Sequence, residues 1–306
     1  MPDLSVQLDS LLLRNPIITA SGTFGYGKEY AALLPLDRLG GITVKGVSPF
    51  AAHGNPPPRT AEVFAGMLNA IGLQNPGIDA FIAEPDYLPY LRRVPTAVIV
   101  NIWGRSIADY ETVARRLDAE RDGIAALEIN ISCPNIKEGG ISFGTDLKMA
   151  AAVVSRVRAA TSLPLITKLS PNVTRIADFA RCVVDAGSNM VSLINTLPAM
   201  AIDIDSHRPK LANVTGGLSG PAIKPVAVRM VYDVAQAVSV PIIGMGGITC
   251  ADDAVEFLIA GASAVAVGTA IFSNPHVLLE IITGLEQYLL RHGHASVREI
   301  IGTVKL

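Results

Sequence analysis

Short apolar runs alternate along the chain with longer segments of helical spacing. The runs are "PIITA" (16–20), "GITVK" (41–45), "TAVIVNI" (96–102), "ALEINI" (126–131), "PLITKL" (164–169), "NMVSLI" (189–194), "PIIGM" (241–245) and "SAVAVG" (263–268). They are rich in β-branched residues and bounded by proline or by turns such as "AGS" and "GAS", so each is predicted to be a strand. Between them, "SIADYETVARRLDAE" sets Ile107, Tyr110, Val113, Ala114 and Leu117 at helical spacing. "DLKMAAAVVSRVRAAT" opens on an acidic cap and ends basic, and "RIADFARCVVDAG" and "ADDAVEFLIAGA" repeat the scheme. Strands this continuously apolar are covered on both faces, which points to a parallel sheet. Eight β-then-α units point further, to an α/β fold of the closed (β/α)8 TIM-barrel kind, with 1–306 as a single domain. An open doubly wound sheet is the competing arrangement, and no GxGxxG follows the first strand to favour it. Residues 46–95 and 195–219 show little periodicity and are read as elaborated loops, the first with a helix.

Composition narrows the function. The 306 residues suit two average domains or one large barrel, and half are hydrophobic, enough for a core without disulfides. The net charge is -2 with no basic stripe, which argues against nucleic acid and anionic membrane. Cys133, Cys182 and Cys250 form no CxxC pair, so a disulfide framework and a zinc or iron–sulfur site in this chain are disfavoured, and a reducing cytoplasm fits. The opening "MPDLSVQLDSLLLRNP" is acidic early and has only a three-leucine run, so it does not read as a signal peptide. No stretch nears the roughly 20 apolar residues of a membrane helix.

The polar residues within the strands carry the chemistry. Side chains alternate along a strand, so Glu128, Asn130 and Ser132 share one face of "ALEINIS" and Leu127, Ile129 and Ile131 the other. The outer face must meet helices, so the polar set points into the barrel. Lys45, Asn101, Asn130, Lys168 and Asn195 all fall at or just past the last positions of their strands, the end where barrels build their sites. Burying two lysines and three amides there costs several kcal/mol unless a polar ligand satisfies them. The glycine-rich "GMGGI" (244–248) and "VGTAIF" (267–272) follow the seventh and eighth strands, where barrels commonly hold a phosphate on backbone amides. A phosphate tail with a polar head across the barrel mouth calls for a phosphate-bearing cofactor, and flavin mononucleotide (FMN) matches that shape. Lys168 would then stabilise negative charge on its reduced ring. Cys133 lies on the loop at the same end, and a thiol there can serve as a general base, whereas Cys182 and Cys250 fall in helix patterns and are read as small core residues.

These pieces resemble the class 1 dihydroorotate dehydrogenases. The resemblance runs from about residue 4 to the C-terminus and is carried by "ITASGTFGYG", "TVKGVSPF", "NAIGLQNPG", "EINISCPN", "TKLSPNV", "NTLPAMAID", "TGGLSGPAIKP" and "GMGGI". The form "NISCPNIKEGGISFG" resembles the 1B, NAD-linked subtype. The resemblance implies oxidation of dihydroorotate to orotate in pyrimidine biosynthesis, with Cys133 removing a proton from C5 and a hydride passing from C6 to FMN. It implies substrate contacts from Lys45, Asn69, Ala70, Ile71, Gly72, Leu73, Asn130, Asn195 and Thr196. It implies FMN contacts from Ala20, Ser21, Lys45, Gly46, Asn101, Asn130, Lys168, Ile194, Gly220, Gly246, Gly247, Gly268 and Thr269. It also implies a homodimer of this chain within a heterotetramer, whose other subunit carries FAD and a [2Fe–2S] cluster and passes electrons to NAD. One departure is visible: family members mostly have glycine just before "MAID", where this chain has Pro198 and Ala199, which bears on the flexibility of that loop. Among other flavin barrels, a dihydrouridine synthase would need a basic surface for tRNA. A dihydropyrimidine dehydrogenase shares the barrel and differs in its pyrimidine. A non-catalytic scaffold would give no reason to gather Lys45, Cys133 and Lys168.

Overall fold

The computed structural model describes residues 1–132, 137–138 and 141–306. Cys133, the candidate base, lies outside the described residues. All eight predicted strands are present: β1 (Ile17–Thr19), β2 (Gly41–Val47), β3 (Ala97–Ile102), β4 (Ala126–Asn130), β5 (Leu165–Lys168), β6 (Met190–Leu193), β7 (Ile242–Met245) and β8 (Ala264–Val267). They pair in parallel, each with its neighbours in sequence, and β8 closes on β1 to complete the barrel. β4 to β8 are buried at every position, the consequence of having side chains in the barrel on one face and helices on the other.

Six helices pack outside: α1 (Ile107–Ala119), α2 (Leu147–Ala160), α3 (Ile176–Asp185), α4 (Lys224–Ala235), α5 (Ala251–Ala260) and α6 (Val277–His292). Local chemistry sets their starts. Ser106 and Asp109 form a reciprocal capping box before α1, and Asp146 accepts the Met149 N–H at 2.9 Å before α2. The buried face of α1 is Tyr110, Val113, Ala114 and Leu117, four of the five positions that helical spacing picks out. Each large apolar side chain buried in this layer stabilises the fold by about 1.5–3 kcal/mol. At the opposite end from the strand C-termini, a hairpin of Val6–Leu8 and Leu11–Leu13 buries Val6, Leu8, Leu11 and Leu13 and leaves Leu12 exposed. The three-leucine run is therefore an edge of the core. No helix among the described residues is long and apolar enough to cross a membrane. Cys182 is only half-buried and Cys250 is exposed at the start of α5, so neither is the core residue expected.

The two long connections are not plain loops. Thr60–Val63 and Gly66–Asn69 form a hairpin, and Leu197–Ala199 and Gly216–Ser219 add to it, making a four-stranded antiparallel sheet. Ile78–Ala83 and Leu88–Leu91 are short helices in the first connection. The sheet escapes sequence reading because its strands are three or four residues long, contain Gly216, Gly217 and Pro198, and pair with partners far away in the chain, such as Gly217 with Asn69. Pro198 and Ala199 stand in the edge strand, opposite Gly217 and Gly216, where a missing N–H costs no ladder bond.

Candidate active site

Six of the barrel strands, β2 to β5, β7 and β8, deliver a residue near their C-terminal ends to one cavity of about 540 Å³, a size typical of small-ligand sites, and Ala20 and Ile194, just past β1 and β6, line it as well. Apart from Cys133, every residue that the resemblance assigns to substrate or FMN lines it. The antiparallel sheet forms the far wall through Thr60, Met67, Asn69, Gly216, Gly217 and Ser219. Sequence reasoning gave Arg59, Met67, Thr215 and Ser219 no role, because each lies in a segment without periodicity.

The polar groups divide into two sets. Deep in the barrel, Glu128 accepts from Asn101 Nδ2 at 2.6 Å and from Ser192 Oγ at 2.8 Å. Ser132 Oγ donates to the Lys168 carbonyl at 2.9 Å and contacts Asn130 Oδ1 at 3.3 Å. The Tyr110 hydroxyl donates to the Asn130 carbonyl at 2.8 Å, tying α1 to the end of β4. With Asn130 Oδ1 so occupied, its NH2 group is left for the cavity. At the mouth, Asn195 Oδ1 accepts the Thr196 N–H at 2.8 Å and Asn172 Nδ2 donates to the Thr196 carbonyl at 3.3 Å. Asn55 pins the 70–71 turn by donating to the Ala70 carbonyl from Nδ2 at 2.8 Å and to the Ile71 carbonyl from its backbone N–H at 2.9 Å.

Three cations face the cavity: Lys45, Arg59 and Lys168. None is in an ion pair among the described residues. Lys168 is 6% exposed and among the described residues its Nζ reaches only Ser21 Oγ, at 3.4 Å. Arg59 is held by Gln74 Oε1 at 2.7 Å. Burial, and then the nearby Arg59, lower the Lys45 pKa from the ordinary lysine value, with Glu29 opposing. Uncompensated cations in a partly buried site make it selective for an anionic or electron-rich ligand.

The loops after β7 and β8 suit a phosphate. Gly247 has φ +79°, and a Cβ there would come within 2.9 Å of the Gly220 carbonyl oxygen, so only glycine lets these two turns meet. Among the described residues, no acceptor takes the backbone N–H of Gly247, Gly268 or Thr269. Thr269 Oγ1 and Ser219 Oγ are bonded at 2.8 Å, joining the β8 loop to the antiparallel sheet. Asp253 braces the β7 loop through the Thr249 N–H and hydroxyl, both at 2.8 Å, and pairs with Lys224 at 2.7 Å. Burial works against its ionisation, but these partners outweigh it and hold its pKa at about 2. Gly46 completes the fit: a Cβ there would stand 2.7 Å from Asn101 Oδ1 and 2.9 Å from the Trp103 ring, closing the space beside Lys45. Unused amide donors at one end, and amides with a buried lysine at the other, match FMN.

Comparison with known proteins agrees. The dihydroorotate dehydrogenase family profile matches residues 3–289. The dihydroorotate dehydrogenase B (NAD(+)) catalytic subunit of Geotalea daltonii is 57% identical over 305 residues, covering 100% of this chain and 99% of that one. The subunit of the same name from Geotalea uraniireducens is 58% identical over 303 residues, covering 99% and 98%. Among solved structures, the dihydroorotate dehydrogenase of Eimeria tenella in complex with ferulenol superposes with a TM-score of 0.81 at 24% identity, covering 99% of this chain and 89% of that one. That likeness establishes the barrel.

Proposed function

This chain belongs to the dihydroorotate dehydrogenase family, and from that premise we propose that it oxidises dihydroorotate to orotate as the catalytic subunit of an NAD-linked enzyme of the cytoplasm. One observation carries the substrate: Lys45 and Arg59, in no ion pair among the described residues, stand at the cavity beside Asn69, Asn130, Asn195 and Thr196. A pyrimidine bearing a carboxylate satisfies both halves of that set, the cations through its charge and the amides through its ring imide. Dihydrouracil, which lacks the carboxylate, would leave the cations unpaired.

FMN, when bound, supplies the hydride acceptor. The Gly246–Gly247 and Gly268–Thr269 turns would hold its phosphate, with Gly220 and Ile194 beside it. Ala20, Ser21, Gly46, Asn101 and Lys168 would hold its ring. Lys168 would stand beside the ring, where a cation would favour its reduction. Asn130 and Asn195 orient the substrate ring, and Lys45 fixes its carboxylate. Cys133 follows Ser132 directly, and the Ser132 hydroxyl is anchored on the β5 carbonyl at 2.9 Å. Cys133 is the base that takes the C5 proton. The expected partner subunit, with FAD and a [2Fe–2S] cluster, carries electrons on to NAD, and two copies of each chain make the complex.

The test is turnover of the FMN-loaded chain with a dye as artificial acceptor. Orotate should form from dihydroorotate, and dihydrouracil should give negligible turnover. Equal rates with both pyrimidines would overturn the substrate assignment.

A further inference from the structure

Glu128 has no place in that scheme, yet it is a costly side chain to bury. It is 3% exposed, in the middle of β4, on the inward face with Asn130. The other buried carboxylate among the described residues, Asp253, has Lys224 beside it. Glu128 is in no ion pair among them and is held by two neutral donors, Asn101 Nδ2 and Ser192 Oγ. A hydrocarbon side chain would serve core stability as well or better, so the acid calls for another explanation.

A carboxylate oxygen accepts hydrogen bonds. At 2.6 Å the Glu128 Oε2 atom takes the NH2 end of the Asn101 amide. The amide is thereby fixed. Its Oδ1 lies at the mouth against Gly46, and among the described residues nothing donates to it. Without Glu128 the amide could turn over, since its two ends have nearly the same shape, and offer a donor in place of an acceptor.

We infer that Glu128 is a positioning residue that locks the Asn101 side-chain oxygen toward the cavity, so that this point of the site receives a ring N–H of the cofactor and rejects a carbonyl. The inference rests on the reading of the cavity as an FMN site. The oxidised flavin ring carries one N–H, the imide at N3, between two carbonyl groups. A fixed acceptor selects the one register in which that N–H is satisfied, whereas a free amide would accept neighbouring registers too.

The test uses apoprotein of the full chain and FMN labelled with 15N at N3. On binding to the wild type, the N3 resonance should move downfield of free FMN. Glu128→Met should weaken FMN binding about tenfold in a fluorescence titration and move N3 back toward its free position. Glu128→Gln, whose amide can donate as well as accept, should restore both only in part. On an Asn101→Ala background, Glu128→Met should add less than about twofold, because the two residues act as one unit. A wild-type N3 resonance at the free position overturns the inference, and this measurement needs no variant to fold. Unchanged affinity and N3 shift in Glu128→Met, or a full additive loss on the Asn101→Ala background, overturn it as well. A wild-type chain that binds no FMN overturns the flavin reading, and the inference with it.

Discussion

Replacing Lys168 with methionine removes one buried charge and little volume, so its effect isolates electrostatics. Lys168 is 6% exposed, and among the described residues its ammonium group meets only Ser21 Oγ, at 3.4 Å, with no carboxylate to cancel it. Two unit charges about 4 Å apart interact by about 4 kcal/mol at an effective dielectric constant of about 20. The reduced ring spreads its negative charge, so about half of that, about 2 kcal/mol, is the lower bound. For a two-electron couple about 1.4 kcal/mol corresponds to about 30 mV. Lys168→Met should therefore lower the midpoint potential of bound FMN by about 40–90 mV. The assay is an anaerobic reductive titration against an indicator dye, on wild type and variant at equal FMN occupancy. A potential within about 10 mV of wild type, with FMN still bound, would refute the argument that Lys168 faces the charge that develops on reduction.

Five further outcomes are expected. Lys45→Ala should weaken orotate by about 10–100-fold, the worth of a charge-assisted hydrogen bond, measured by quenching or absorbance titration of the bound flavin. Because burial lowers the Lys45 pKa, the lysine loses its charge below the ordinary lysine pH, so orotate affinity should fall as pH rises toward that value; Lys45→Arg should remove this alkaline limb from the binding profile. Asp253→Asn should loosen the β7 loop and weaken FMN about tenfold, read by fluorescence titration; the wild type should hold its FMN down to pH about 4 and lose grip only as pH falls toward 2, since a depressed carboxylate pKa stabilises above it and not below. Cys133→Ser should keep FMN and slow its reduction by dihydroorotate by several orders of magnitude at neutral pH in a stopped-flow trace, a hydroxyl being the weaker base. The purified chain should reduce NAD poorly until the partner subunit is added; equal NAD turnover with and without it would remove the partner from the scheme.

How far the sequence carried depends on the distance over which each feature is encoded. The strands and their order were legible because apolar runs such as "AVIVNI" and "PIIGM" are local signals and a parallel barrel demands them. The strand-end set Lys45, Asn101, Asn130, Lys168 and Asn195 was legible because five of the runs carry a lysine or an amide at or just past their C-terminal end. All five line the one cavity. The wall built by Thr60–Val63, Gly66–Asn69, Leu197–Ala199 and Gly216–Ser219 was hidden, since it exists only when segments about 150 residues apart meet. Glu128 was visible as an inward acid, but nothing local says that its partners are Asn101 on β3 and Ser192 on β6, across the barrel interior. Arg59 is a similar case: it becomes a site residue only when the antiparallel sheet folds over the mouth.

The central event is the transfer of electrons from dihydroorotate to a flavin held at this barrel mouth. An anaerobic absorption spectrum of the purified chain, before and after addition of dihydroorotate, observes it directly. The account predicts a yellow protein whose visible flavin absorption bleaches on mixing, with orotate formed in equal amount. A yellow protein that keeps its colour with dihydroorotate would contradict the assignment of substrate, and a colourless protein that takes up no added FMN would contradict the assignment of the cavity.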